Sequence, residues 1–151
     1  MNKLSEDDLR IINKAISIIE GTAKRSSLTA TNSKSVKDYC QLQIALSERE
    51  LFGVLFLNNQ HELIQFEVLF KGTIDAAAVY PREVAKKALL LNAGAVILTH
   101  NHPSGILEPS SADKMITERL SSALDLLSVR VLDHVIVSNK GTFSFAENGL
   151  L

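Results

Sequence analysis

The sequence predicts an α/β fold of the α+β kind, a mixed β-sheet sandwiched by helices. Three observations predict it. Apolar runs of strand length stand at Leu51–Leu57 and Ala95–Thr99, and Val129–Val137 reads as a further strand. Amphipathic stretches with helical spacing lie between and before them. The order is helices, hairpin, helix, strand, helix and a second hairpin, and such an order asks for a sheet covered by helices.

Each element has a local cause. Ser5-x-x-Asp8 is a capping-box pattern ahead of Leu9, Ile12, Ile16 and Ile19, so a first helix starts there and is expected to end near Gly21 as its C′ residue. Thr22 to Ser35 is rich in Ser, Thr and Lys and reads as a loose junction. Residues 1–28 are therefore expected to form a helical extension of one domain spanning 1–151, packed on the main body or touching a partner. A second helix is expected from about Ser35 to Leu46. Leu51–Leu57 and the alternating Ile64, Phe66, Val68 and Phe70 form a hairpin across Asn58-Asn59-Gln60-His61, with His61 exposed in the turn. Pro81 suits the first turn of a helix whose inner stripe is Val84, Ala85, Ala88 and Leu89. Ala95–Thr99 is a buried strand. Ile116, Leu120, Ala123, Leu124 and Leu127 mark a helix from about Ser111. Val129–Val137, the turn Asn139-Lys140-Gly141 and Thr142–Phe145 make the last hairpin.

The chain has 151 residues, 46% apolar and 22% charged, which is ordinary globular composition and enough to bury a core. The net charge of −1 gives no general drive toward nucleic acid. Lys24-Arg25 with Lys34 and Lys37 is read as a solvated surface. Cys40 is the single cysteine, so no intramolecular disulfide forms, in keeping with a reducing compartment. No signal-peptide stretch and no run long enough to cross a bilayer is present, and a cytoplasmic protein is expected.

The chemistry concentrates in His100-x-His102, a gap of seven residues, then Ser110-x-x-Asp113. Residues two apart on an extended backbone point to the same side, so the two imidazoles can converge. Two neutral imidazoles and a carboxylate leave a tetrahedral cation one open position, the arrangement of a catalytic zinc. Each part alone is bland. A single His at a strand end is ordinarily a core or surface residue. Ser110-x-x-Asp113 alone is a helix cap, as at Ser5-x-x-Asp8. The joint pattern carries the weight, because two imidazoles on one strand face have little packing value.

That joint pattern resembles the JAMM signature of the JAB/MPN metallohydrolases. Leu51-Phe52-Gly53-Val54-Leu55-Phe56-Leu57, Lys71-Gly72-Thr73-Ile74-Asp75, Val79-Tyr80-Pro81-Arg82-Glu83 and His100-Asn101-His102-Pro103-Ser104-Gly105 resemble the RadC-like branch, and the likeness runs from about Thr29 to the C-terminus. It is to the short form that keeps only the JAB part, without a helix-hairpin-helix region. The resemblance implies a JAB/MPN-like, cytidine-deaminase-like mixed sandwich. It implies one Zn²⁺ per chain held by His100, His102 and Asp113, and catalytic roles for Glu50 and Ser110. Glu50, just before Leu51, fits the place of the family's general base, with Glu48 as the fallback, and Ser110 fits the oxyanion donor. Asn101 should face away from the ligands and play a structural part. His134 is expected as a satisfied core histidine, with support of the site as the other reading.

The function expected is that of a zinc metallopeptidase or isopeptidase hydrolysing an amide bond in a peptide or protein substrate. The alternative is a nucleic-acid- or protein-associated module, linked to DNA repair, in which the metal is structural or inactive. A zinc nucleobase deaminase fits poorly, because it needs His-x-Glu and a Cys-x-x-Cys pair. The residues name no substrate and no oligomeric state.

Overall fold

The computed structural model describes residues 4–23, 29–73 and 78–151. Lys24 and Arg25 of the basic cluster, and Ile74 and Asp75 of the RadC-like text, lie outside them. The elements run α1 (Glu6–Ala23), α2 (Ser33–Ile44), β1 (Leu51–Leu57), β2 (Leu63–Lys71), α3 (Pro81–Leu90), β3 (Ala95–Asn101), α4 (Ser111–Asp125), β4 (Arg130–Ser138) and β5 (Gly141–Ser144). This is the expected mixed α/β arrangement.

The strands lie in the order β2-β1-β3-β4-β5. Among the described residues only β3 and β4 pair in parallel; α4 makes the crossover between them. β3 is the central strand and is buried throughout, which explains its unbroken apolar run. One face of the sheet carries Phe52, Val54, Phe56, Val96 and Leu98 against Val84 and Ala88 of α3 and Ile116, Leu120 and Leu124 of α4. The other carries Leu55, Leu57, Ile97, Val135 and Val137 against Val36, Tyr39, Cys40 and Ile44 of α2. Each large side chain so buried stabilises the fold by about 1.5–3 kcal/mol. The even residues of β3 therefore face α3 and α4, and the odd ones face α2.

Four local expectations are corrected. Gly21 lies within α1 and lacks the positive φ of a C′ residue, so the helix runs on to Ala23. α2 starts at Ser33 and ends at Ile44, two residues earlier at each end than expected, because Asn32 is its N-cap: the Asn32 side chain accepts from the Ser35 N–H at 3.3 Å. Leu89 is 55% exposed, whereas Val84 and Ala88 are fully buried. Leu89 sits five residues past Val84, about 140° round the helix, and so leaves the inner stripe. His61 is in its turn with a φ of 61°, half-buried, and its Nε2 is 2.9 Å from the Arg130 guanidinium.

Candidate metal centre

β3 runs two residues beyond the expected strand end, so His100 stands inside it and is 1% exposed. His102 follows the strand, and its N–H donates to the Val137 carbonyl of β4 at 2.9 Å, prolonging the ladder by one bond. Both imidazoles thus rest on the central strand or on its one-bond extension. Pro103-Ser104-Gly105 then turns the chain; Gly105 takes a φ of +81° and lies against the Lys140 side chain, where a Cβ would come within 3.0 Å of Lys140 Cε. Glycine alone accepts that backbone without strain.

Asp113 comes from the first turn of α4. Ser110 is the N-cap, with its Oγ accepting from the Asp113 N–H at 3.1 Å and its own N–H donating to Asp113 Oδ2 at 2.7 Å. The cap therefore orients the carboxylate. Oδ1 lies 3.1 Å from His100 Nε2, Oδ2 lies 3.4 Å from His102 Nε2, and the two Nε2 atoms are 2.8 Å apart. One donor atom from each of the three residues lies within 4.8 Å of the others. The cap of Ser110-x-x-Asp113 and the placement of Asp113 beside both imidazoles are compatible. Ser5-x-x-Asp8 is the useful control: it forms the same reciprocal bonds, at 2.9 and 3.1 Å, at the start of α1.

This set fits a metal ion on its donor chemistry. His102 Nδ1 lies 2.6 Å from the Ile106 carbonyl, which only accepts, so the proton of a neutral ring sits on Nδ1 and Nε2 offers a lone pair. A lone pair from that ring, the facing Nε2 of His100 and a buried carboxylate converge, and a cation satisfies them. The cleft above them is also lined by Glu50, Ser104, Ile106, Glu108 and Ser110. Glu48 is exposed and is not among the lining residues.

Residues 30–150 match the family model described as the RadC-like JAB domain. The chain belongs to this family. It is similar to the UPF0758 protein of Vibrio cholerae, with 52% identity over 142 residues, 94% of this chain and 89% of that protein. It is also similar to the UPF0758 protein YkfG of Escherichia coli, with 46% identity over 149 residues, 99% and 94% of the two chains. The UPF0758 protein Mpe_A2695 of Methylibium petroleiphilum is 58% identical over 118 residues, 78% of this chain but 53% of its own length. The chain thus spans about half of that longer relative.

In this RadC-like JAB domain a proton can stand where the cation would. Without metal, the hydrogen bond that His102 donates to Asp113 holds the imidazole above its ordinary pKa, against its partial burial, and the Ile106 carbonyl and the charges of Asp113 and Glu50 add to the effect. Burial pushes the Asp113 carboxyl up, but the neighbouring His100 and His102 rings outweigh it and hold the group far below the usual carboxylate range.

Asn101 faces the opposite side of β3, as expected, and its contacts reach the site by another route. Its Oδ1 accepts from the Leu51 N–H at 2.7 Å, and its Nδ2 donates to the Arg49 and Ser47 carbonyls at 3.0 and 3.2 Å. The amide brackets Glu50, whose own carbonyl accepts from the Gly72 N–H at 2.9 Å.

His134 is buried, as a core histidine would be, yet it also touches the site. Its Nε2 lies 2.7 Å from His100 Nδ1, and its Nδ1 lies 2.5 Å from Thr117 Oγ1. Its burial, with His100 beside it, keeps it well below the ordinary histidine pKa. Thr117 is a contributor that the sequence pattern does not single out. The signal available is its position four residues after Asp113, which places both on one face of α4.

Proposed function

We propose that this RadC-like JAB domain is a zinc-dependent amide hydrolase, a metallopeptidase or isopeptidase. The convergence of His100, His102 and Asp113 in a cleft that Glu50 also lines carries the reading. Those three side chains would hold the ion. Bound there, zinc supplies Lewis acidity and brings the pKa of water from 15.7 toward about 7.

The chain's own residues supply the rest. Glu50, bracketed by Asn101, takes a proton from the attacking water and delivers it to the leaving amine. Ser110 accepts within its cap, and its hydroxyl proton is free to donate to the oxyanion of a tetrahedral intermediate. The cleft's charge favours an amide over a phosphodiester. Glu50, Glu108 and Asp113 line it, and no Lys or Arg is among the lining residues. With Asp113 engaged by the ion, a polyanion would still meet Glu50 and Glu108, with no Lys or Arg among the described lining residues to anchor its phosphates. An amine leaving group, cationic once released, meets a complementary field.

The test is a screen of peptide and isopeptide substrates with the zinc-loaded protein and its Glu50→Gln variant. Cleavage by the first and not the second supports the proposal. No cleavage by either, or equal cleavage by both, contradicts it.

A further inference from the structure

His102 and His100 are held differently at the ring nitrogen that faces away from the cleft. His102 uses a backbone carbonyl, an acceptor that cannot change its role. His100 uses another imidazole, which donates or accepts according to its tautomer. The orientation of that imidazole decides whether His100 can be a ligand.

We propose that Thr117 and His134 form a one-way hydrogen-bond relay that keeps the lone pair of His100 on Nε2; this rests on the metal reading above. The direction follows from counting protons. Thr117 Oγ1 lies 2.6 Å from the Asp113 carbonyl, which only accepts, so the hydroxyl gives its one proton there. The same oxygen lies 2.5 Å from His134 Nδ1, so that nitrogen carries a proton and donates. His134 is fully buried, and among the described residues no carboxylate lies against either ring nitrogen, which demands the neutral ring. Its Nε2 is then an acceptor, 2.7 Å from His100 Nδ1. His100 donates from Nδ1 and presents a bare Nε2 toward Asp113 and His102.

The relay is closed and stiff. It begins at the main-chain carbonyl of Asp113 and ends at the ring facing the carboxylate of the same residue, joining α4, β4 and β3. Phe145 stacks on the His134 ring at 4.7 Å and Phe52 meets its edge at 5.7 Å, so the ring is packed on two sides. The parallel register pairs His134 with Leu98, which puts its side chain on the face that His100 uses. His134 and Thr117 are thus positioning residues that act through His100.

Thr117→Val keeps the shape and removes the hydroxyl; Thr117→Ser keeps the hydroxyl. Two readouts apply. Imidazole ¹⁵N–¹H correlation spectra of the metal-free protein at mildly alkaline pH report each tautomer, and competition with a chromophoric chelator reports the zinc Kd. The wild type should show Nδ1–H at both His100 and His134. Thr117→Val should move His134 to Nε2–H and weaken zinc about 10–100-fold, as loss of such supporting partners does; Thr117→Ser should restore both. An Nε2–H tautomer of His134 in the wild type overturns the relay, and so does undiminished zinc affinity in a folded Thr117→Val. The wild-type spectrum decides the point even if that variant fails to fold. It also needs no metal, so a protein that takes up no zinc refutes the metal reading while the tautomers still judge the relay.

Discussion

Replacing Asp113 by Asn separates the cap from the metal. The amide oxygen of the replacement can still accept from the Ser110 N–H that Asp113 holds at 2.7 Å, so α4 still starts in place. Its N–H₂ then takes the place of Oδ1, 3.1 Å from His100 Nε2, a donor in the space a cation would fill. In the wild type, zinc at a hundred times its Kd should stabilise the fold by about 2.7 kcal/mol. At roughly 2–4 °C per kcal/mol for a chain of this size, the melting temperature rises by roughly 5–11 °C. Supporting partners of metal ligands are worth about 10–100-fold in affinity, and a direct ligand should match the upper end at least. A site weakened a hundredfold keeps about 0.4 kcal/mol of zinc stabilisation, a rise of about 1–2 °C. Differential scanning calorimetry with and without zinc reads the difference, and the baseline cost of the altered cap cancels within each variant. A full zinc-induced rise in Asp113→Asn would refute the ligand assignment.

Glu50→Gln should keep the zinc-induced rise and lose about 10²–10⁴-fold in turnover on whichever amide substrate the screen finds; chelator competition and steady-state kinetics check the two halves. Asn101→Ala removes three hydrogen bonds to residues 47–51 and should cost about 2–4 kcal/mol in urea unfolding, with turnover falling beyond what stability explains because Glu50 loses its bracket. Metal-free protein should be better stabilised near pH 6 than near pH 9, as judged by urea midpoints. The raised His102 contributes fully below its ordinary 6.5 and loses that share as pH rises through its folded value; the lowered Asp113 contributes above its ordinary 3.8 and fades only as pH falls through its own. Excess zinc should reverse the trend, because it needs His102 without its second proton.

What could be read in the sequence was what the backbone period writes locally. The limits of β1 follow from one apolar run, and the His pair from a two-residue spacing on β3. The Asp113 cap reads from a three-residue pattern at a helix start. What stayed hidden depends on pairing across long stretches of chain. His134 is a lone histidine on a strand, and its contact with His100 exists only because β4 lies parallel to β3 in one register, with an irregularity between Val96 and Ile97. The choice between Glu48 and Glu50 needs the bend before β1, held by an Asn101 fifty residues later. Leu89 escapes the pattern because five apolar residues on a short helix, Leu90 among them, permit more than one stripe, and the packing of Val84 and Ala88 into the core selects among them.

The most direct measurement is anomalous diffraction at the zinc absorption edge from crystals of the protein purified without chelator. The assignment predicts one peak per chain, about 2.0–2.1 Å from the Nε2 atoms of His100 and His102 and about 2.0–2.2 Å from an Asp113 oxygen. Zinc bound at other residues, or no peak in this cleft after soaking with zinc, would contradict it.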